Sequence, residues 1–204
     1  MGVIDESGDF PWRGMPPGSG HLLVAAPSLV ESAFARTVIY VLEHDGGGTV
    51  GVILNRPTRT PVGSVLPDWH DAVSEPSVVF TGGPVLPDGA LCIAAMREEA
   101  LREGQTVSRD SVRLIDGHIG TIDLDADVDL VTGMTRELRV FAGHAGWAAG
   151  QLSEELERGA WYVVESRLSD VFDRQPRDLW RTVLRRQPPP LRLVASYPTE
   201  IGLN

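Results

Sequence analysis

The segment richest in chemical possibilities runs Phe141-Ala142-Gly143-His144-Ala145-Gly146-Trp147. Its pattern reads as a strand entering a Gly-rich turn and then a helix. Gly143 and Gly146 would let a ligand approach the backbone closely, and a helix start offers unpaired N–H groups. Together these would seat a carboxylate or phosphate. The competing reading is a tight strand-to-helix connection with Trp147 in the core. Two other turns carry Gly, Pro or polar residues, Asn55-Arg56-Pro57 and Gly82-Gly83-Pro84. If the three segments converge, they form a binding surface. The expected ligand-binding set is therefore Asn55, Arg56, Gly82, Gly83, Pro84, Gly143, His144, Gly146 and Gln151. No residue is assigned a catalytic role, no metal ligand is expected and no cofactor is implied.

Other patterns fail on closer inspection. Gly46-Gly47-Gly48-Thr49-Val50-Gly51 matches G-x-G-x-x-G, but it opens Val-Gly-Val-Ile-Leu-Asn, a strand, where a dinucleotide site needs a helix. Asp123, Asp125, Asp127 and Asp129 alternate, yet a calcium loop would need Gly where Val128 stands and Glu where Met134 stands. A solvated acidic face fits better. On a strand, Glu43 and Asp45 face away from His44, so the three cannot close on one metal. The five histidines show no i,i+4 pair. Cys92 lies in the apolar run Ala90–Met96, where burial suppresses thiolate formation. No G-x-S-x-G elbow is present. Arg174, Arg177, Arg181 and Arg185 form a helical stripe, which could meet an anion, a nucleic acid or an acidic partner, but which reads first as a solvated face.

The elements that must position these residues are mostly strands. His21–Ala26, Thr37–His44 and Thr49–Asn55 are β-branched and apolar, and Asp45-Gly46 turns the second into the third. Asp88-Gly89 and Asp116-Gly117 are expected to reverse strands in the same way. Ser28 and Glu31 suggest a capping box and a helical turn to about Phe34. Short helical pieces are expected over 64–73, broken by Pro67. Trp147–Arg158 is the clearest helix, stopped by Gly159. Another runs from Pro176 to Arg186. Pro188-Pro189-Pro190 ends it, and Leu191–Ser196 reads as a last strand. Strands and helices do not alternate strictly, so a doubly wound parallel sheet is disfavoured and one α+β domain is expected over 20–196.

Composition bounds the rest. The chain has 204 residues, 18 arginines and no lysine against 28 acids, and a formal net charge of −10. An acidic chain gains little from counterion release, so DNA binding is not expected. Its apolar runs are too short to span a membrane. A single cysteine excludes an intrachain disulfide and a Cys-x-x-Cys site. Residues 1–19, including Phe10 and Trp12, read as a flexible tail without the basic start and apolar stretch of a signal peptide, and 197–204 as a C-terminal tail. A cytoplasmic location is expected.

An ordered set of segments resembles the AlgH/YqgE-like family, an uncharacterised bacterial group. The segments are Gly20–Pro27, Phe34–Val38, Glu43-His44, Gly51–Pro57, Gly82–Val85 and Ala145–Leu152. The resemblance implies a single α+β domain, its mixed, bifurcated sheet curled into a pseudo-barrel with a few packed helices. It brings no established catalytic residue or cofactor. Where this chain has His144 the family usually has Tyr, and Leu91–Ala94 lacks a His common there. The function expected is a cytosolic small-ligand- or partner-binding, regulatory domain without catalysis. One alternative is an enzyme on a small anionic substrate, with Arg56 binding the anion and Glu43 or His44 as base. The other is a transcriptional regulator, a label some family members carry; no helix-turn-helix is evident here to support it.

Overall fold

The computed structural model describes residues 15–31, 33–102 and 111–198. The strands are β1 (His21–Ala25), β2 (Val38–Asp45), β3 (Gly48–Ile53), β4 (Pro57–Pro61), β5 (Val78–Thr81), β6 (Val85–Met96), β7 (Val112–Leu114), β8 (Ile119–Ile122), β9 (Thr135–Ala148) and β10 (Trp161–Glu165). The α-helices are short: α1 (Glu98–Arg102), α2 (Val128–Met134), α3 (Gln151–Glu157), α4 (Leu168–Val171), α5 (Leu179–Arg185) and α6 (Leu191–Val194). Among the described residues this is a single α+β domain, a curled and largely antiparallel sheet with six α-helices around it.

The strand β9 organises the sheet. One of its edges pairs antiparallel with β6. Its other edge meets two strands in succession: β5, parallel, at Phe141 and Ala142, then β3, antiparallel, from Ala145 to Ala148. The sheet splits at Gly143 and His144. There the chain leaving β5 crosses β9 so closely that a Cβ on Gly82 would lie 2.2 Å from the Gly143 carbonyl oxygen. On Gly83 it would lie 2.2 Å from the His144 carbonyl. The crossing is sewn by Gly82 N–H donating to Ala142 O (2.8 Å) and Ile53 N–H donating to Gly82 O (2.9 Å). Beyond it the order β10-β1-β2-β3-β9-β6-β8-β7 curls into a half-barrel.

The sheet buries side chains on both sides. One core gathers Leu22, Tyr40, Phe80, Ile93 and Phe141 under α5 and α6. The other gathers Leu23, Ile39, Trp147 and Trp161 under α3. There the Glu155 Oε2 accepts from both indole N–H groups, at 2.9 and 2.8 Å.

Four expectations are corrected. Trp147 and Ala148 belong to β9, and the helix begins only at Gln151. Residues 141–148 alternate inside and outside within β9: Gly146 pairs in its ladder, Gly143 bends the strand at φ 69° where the sheet splits, and the break before the helix is Gly150, at φ 78°. Asp88-Gly89 reverses nothing: β6 runs through it, bulging between Val85 and Ala90, with Leu86 at φ 47°. Leu191–Val194 is helical, because a short apolar run fits either period and the core beside α5 accepts one helical face. Residues 27–31 and 33–36 make turns, including Ala35 N–H to Glu31 O, and no helix or Ser28 cap is present among these described residues. Asp45-Gly46 and Asp116-Gly117 do turn hairpins. The expected tails fall largely outside the described residues, as do Phe10 and Trp12.

The crossing gives a signed prediction. Gly83→Ala should cost more than about 3 kcal/mol in urea unfolding, since neither backbone can yield. Gly133→Ala, in α2 with nothing within 4 Å of the new Cβ, should instead stabilise by about 0.5–1 kcal/mol.

Candidate anion-binding cleft

Asn55 follows β3 and is buried with both ends of its amide in use. Its Oδ1 accepts from Val38 N–H at 3.0 Å and its Nδ2 donates to Arg36 O at 2.8 Å. The side chain thus holds residues 36–38 where β2 begins. Arg36 takes a left-handed backbone, φ 55°, that costs a non-glycine residue about 1–2 kcal/mol. Its guanidinium lies 4.5 Å over the Trp180 ring, and one Nη donates to Pro198 O. Trp180 is fixed in turn by its indole N–H, 2.8 Å from Ala25 O.

Arg56 is steered by donation to Ala35 O at 2.7 Å. Opposite stand Arg177, in the 3-10 turn Pro176–Asp178, and Arg181 in α5. Arg36, Arg56, Arg177 and Arg181 line one cleft of about 480 Å³, and among the described residues its only acid is Asp178. Burial and the neighbouring Arg181 both push the Arg36 guanidinium below its ordinary pKa. Among the described residues, no carboxylate pairs with Arg36, Arg56 or Arg177. The Nη1 of Arg36 is shielded from solvent and meets no acceptor among the described residues. A cleft with this lining can accept an anion by charge-assisted, planar hydrogen bonds.

Of the residues expected to bind ligand, Asn55 and Arg56 line this cleft. Gly82, Gly83, Gly143 and His144 meet at the sheet crossing, and Thr81 N–H donating to Arg56 O (2.9 Å) links that crossing to the cleft. Pro84 is exposed just past the crossing, and Gly146 pairs with Val50. The Gln151 amide is occupied locally, accepting from Ala148 N–H at the end of β9 and donating to Glu155 in α3. Arg36, Arg177 and Arg181 are absent from the expected set. The signal for Arg177 and Arg181 was their helical stripe; for Arg36 no spacing rule applies, because a turn places it.

Other chemistry is accounted for elsewhere. The Glu43 carboxylate is 2.8 Å from Arg113, and the His44 Nδ1 is 2.7 Å from the Thr49 hydroxyl. Neither lines the cleft, and β2 carries Glu43 roughly 17 Å from Val38. A second hollow, about 310 Å³ beside β10, contains Arg186, but that guanidinium is already bound to the buried Asp170 carboxylate and to Glu165 O. Asp127 caps α2. Cys92 is buried, and burial pushes its thiol pKa up. Among the described residues there is no cluster of three or more His, Cys, Asp or Glu able to hold a metal, and no helix long and apolar enough to cross a membrane.

The AlgH-like family model matches residues 22–192, most of the chain. The chain belongs to the AlgH-like family. A UPF0301 protein of Streptomyces coelicolor is 48% identical over 186 residues, covering 91% of this chain and 95% of the relative. One from Mycobacterium avium is 45% identical, covering 91% and 90%. A crystal structure from Corynebacterium diphtheriae superimposes with a TM-score of 0.82 at 34% identity, over 90% of this chain and 94% of that one. The solution structure of AlgH from Pseudomonas aeruginosa has a TM-score of 0.63 at 24% identity, over 91% and 100%, a likeness of fold. AlgH-like membership thus accounts for the bifurcated sheet and assigns no chemistry to the cleft.

The strained position of Arg36 yields a test within this AlgH-like domain. Arg36→Gly should be more stable than Arg36→Ala by about 1 kcal/mol, the reverse of the usual order, because only glycine relieves the positive φ. Paired urea titrations measure the difference.

Proposed function

We propose that this AlgH-like protein is a cytoplasmic binding domain that responds to a small anion held between Arg36, Arg56, Arg177 and Arg181. The observation that carries the reading is the Nη1 of Arg36, a shielded donor with no acceptor among the described residues, in a cleft where Arg56 and Arg177 likewise meet no carboxylate among them. A buried donor left unmatched costs about 1–3 kcal/mol, more when charged, and an anion would supply the acceptor. The strain at Arg36 points the same way, since backbone strain gathers at sites where stability gives way to function. Catalysis has less support: the base proposed for it, Glu43 or His44, is outside the cleft. A role in binding long nucleic acid is opposed by the net charge of −10, which repels a polyanion before local arginines can act.

Inorganic phosphate or pyrophosphate, added at constant ionic strength, should stabilise the native chain by mass action. At a hundredfold excess over Kd the gain is about 2.7 kcal/mol, or roughly 5–10 °C in Tm for a chain of this size. The double variant Arg36→Gly/Arg181→Gln should lose that rise. An equal rise in the variant, or none in the wild type with any small anion, would contradict the proposal.

A further inference from the structure

A second concavity, about 400 Å³, adjoins the first. The two share Pro57, Thr58, Arg177 and Asp178, so they form one trough with Arg177 at its waist. The added part contains Arg174, which like Arg177 has no carboxylate partner among the described residues. Arg174 lies two residues before the 3-10 turn Pro176–Asp178, and Arg181 lies in α5, seven residues on. Five of those steps rise 1.5–2.0 Å each and the two before the turn span at most about 3.3 Å each, which separates the two backbones by on the order of 10–15 Å. Positive charge therefore stands at both ends of the trough. Its shared middle sets Arg177 beside Asp178, the one acid of the lining among the described residues, next to Pro57 and Thr58, so it carries no net charge; Pro76, Val78 and Pro176 add an apolar wall on the Arg174 side.

Accepting the cleft as an anion site, we infer that its ligand is an elongated molecule with an anionic group at each end and a neutral middle. The Arg36, Arg56 and Arg181 end would hold one anion, and the Arg174 end the other. Between them Asp178 repels additional negative charge and accepts hydrogen bonds from hydroxyl or amino groups, while the prolines and Val78 pack against an apolar or flat body. A single phosphate would use only half of the trough. Joining two anions makes the second contact intramolecular, which raises affinity without any new contact.

Alkane-α,ω-bisphosphonates of increasing length, compared with alkylmonophosphonates of the same length, test this by calorimetry at fixed ionic strength. The bisphosphonate series should show an affinity maximum where its ends lie on the order of 10 Å apart, about a hundredfold tighter than the matched monophosphonate. Arg174→Gln should remove that gain while lowering monophosphonate affinity by no more than the statistical factor of about two, whereas Arg181→Gln should weaken both by more. Monophosphonate binding without a bisphosphonate gain above the statistical factor of about two would overturn the inference and leave the anion site standing. Failure of both series to bind would overturn the anion site itself, and the inference with it.

Discussion

A guanidinium lies in the apolar core of this protein and pairs with no carboxylate among the described residues. Arg139, in β9, is 1% exposed. It lies 4.4 Å from the centre of the Phe80 ring and 5.8 Å from that of Phe172. It donates to Val171 O at 2.7 Å, Asp173 O at 3.0 Å and Glu75 O at 3.2 Å. Burial pushes its pKa down to about 10, with Asp173 and then Glu137 pulling the other way, so it is still a cation at neutral pH. Val171 ends α4 and Asp173 lies just beyond it, where carbonyls have no later turn to bond to. Arg139 therefore fixes where the chain enters the segment from Gln175 to Arg185. Removing one partner from such an arrangement typically costs 3–5 kcal/mol, because what remains is buried and unmatched.

The cleft follows from that constraint and one other. Its helical wall, with Arg177 and Arg181, is docked on the sheet through Arg139 and through Leu179, Val183 and Leu184 in the core. Its other wall is set by Asn55, which holds the backbone of Arg36 and Val38. The Asn55 amide and the two Nη groups of Arg139 are spent on backbone carbonyls or N–H groups. Neither residue adds a carboxylate to the cleft, and among the described residues Arg36, Arg56 and Arg177 meet none there. The chain's acids act elsewhere, for example Glu43 on Arg113, Asp170 on Arg186 and Glu155 on two tryptophans. Over a Debye length of about 8–10 Å, a small anion senses the local arginines more than the distant net charge.

How far the sequence could be read depended on whether a local signal had a single structural solution. The β-branched runs from His21 to Asn55 did, and became β1 to β3. Asp-Gly was reliable where two strands were free to pair with each other, at Asp45-Gly46 and Asp116-Gly117. It misled at Asp88-Gly89, because β9 offers β6 a partner long enough to absorb a bulge. Trp147 and Leu152 share helical spacing yet face one core from two different elements, a strand and a helix. The site was half visible: Asn55 and Arg56 stood out by type. The arginine stripe was seen but read as a solvated face, and only the tertiary fold puts Arg36 opposite it. Arg139 gave no signal, since an arginine alternating within an apolar strand usually points to water.

The central claim is that the Arg36–Arg181 cleft binds an anion as a site and not as a diffuse positive surface. Arginine Nε–Hε resonances followed by NMR during an inorganic phosphate titration test it most directly. The account predicts that Arg36, Arg56 and Arg181 shift together along one saturable curve, while Arg102 and Arg158, exposed and paired with Glu98 and Glu154, stay still. Shifts that grow linearly and alike for all of these arginines, or no shift at Arg36, would contradict it.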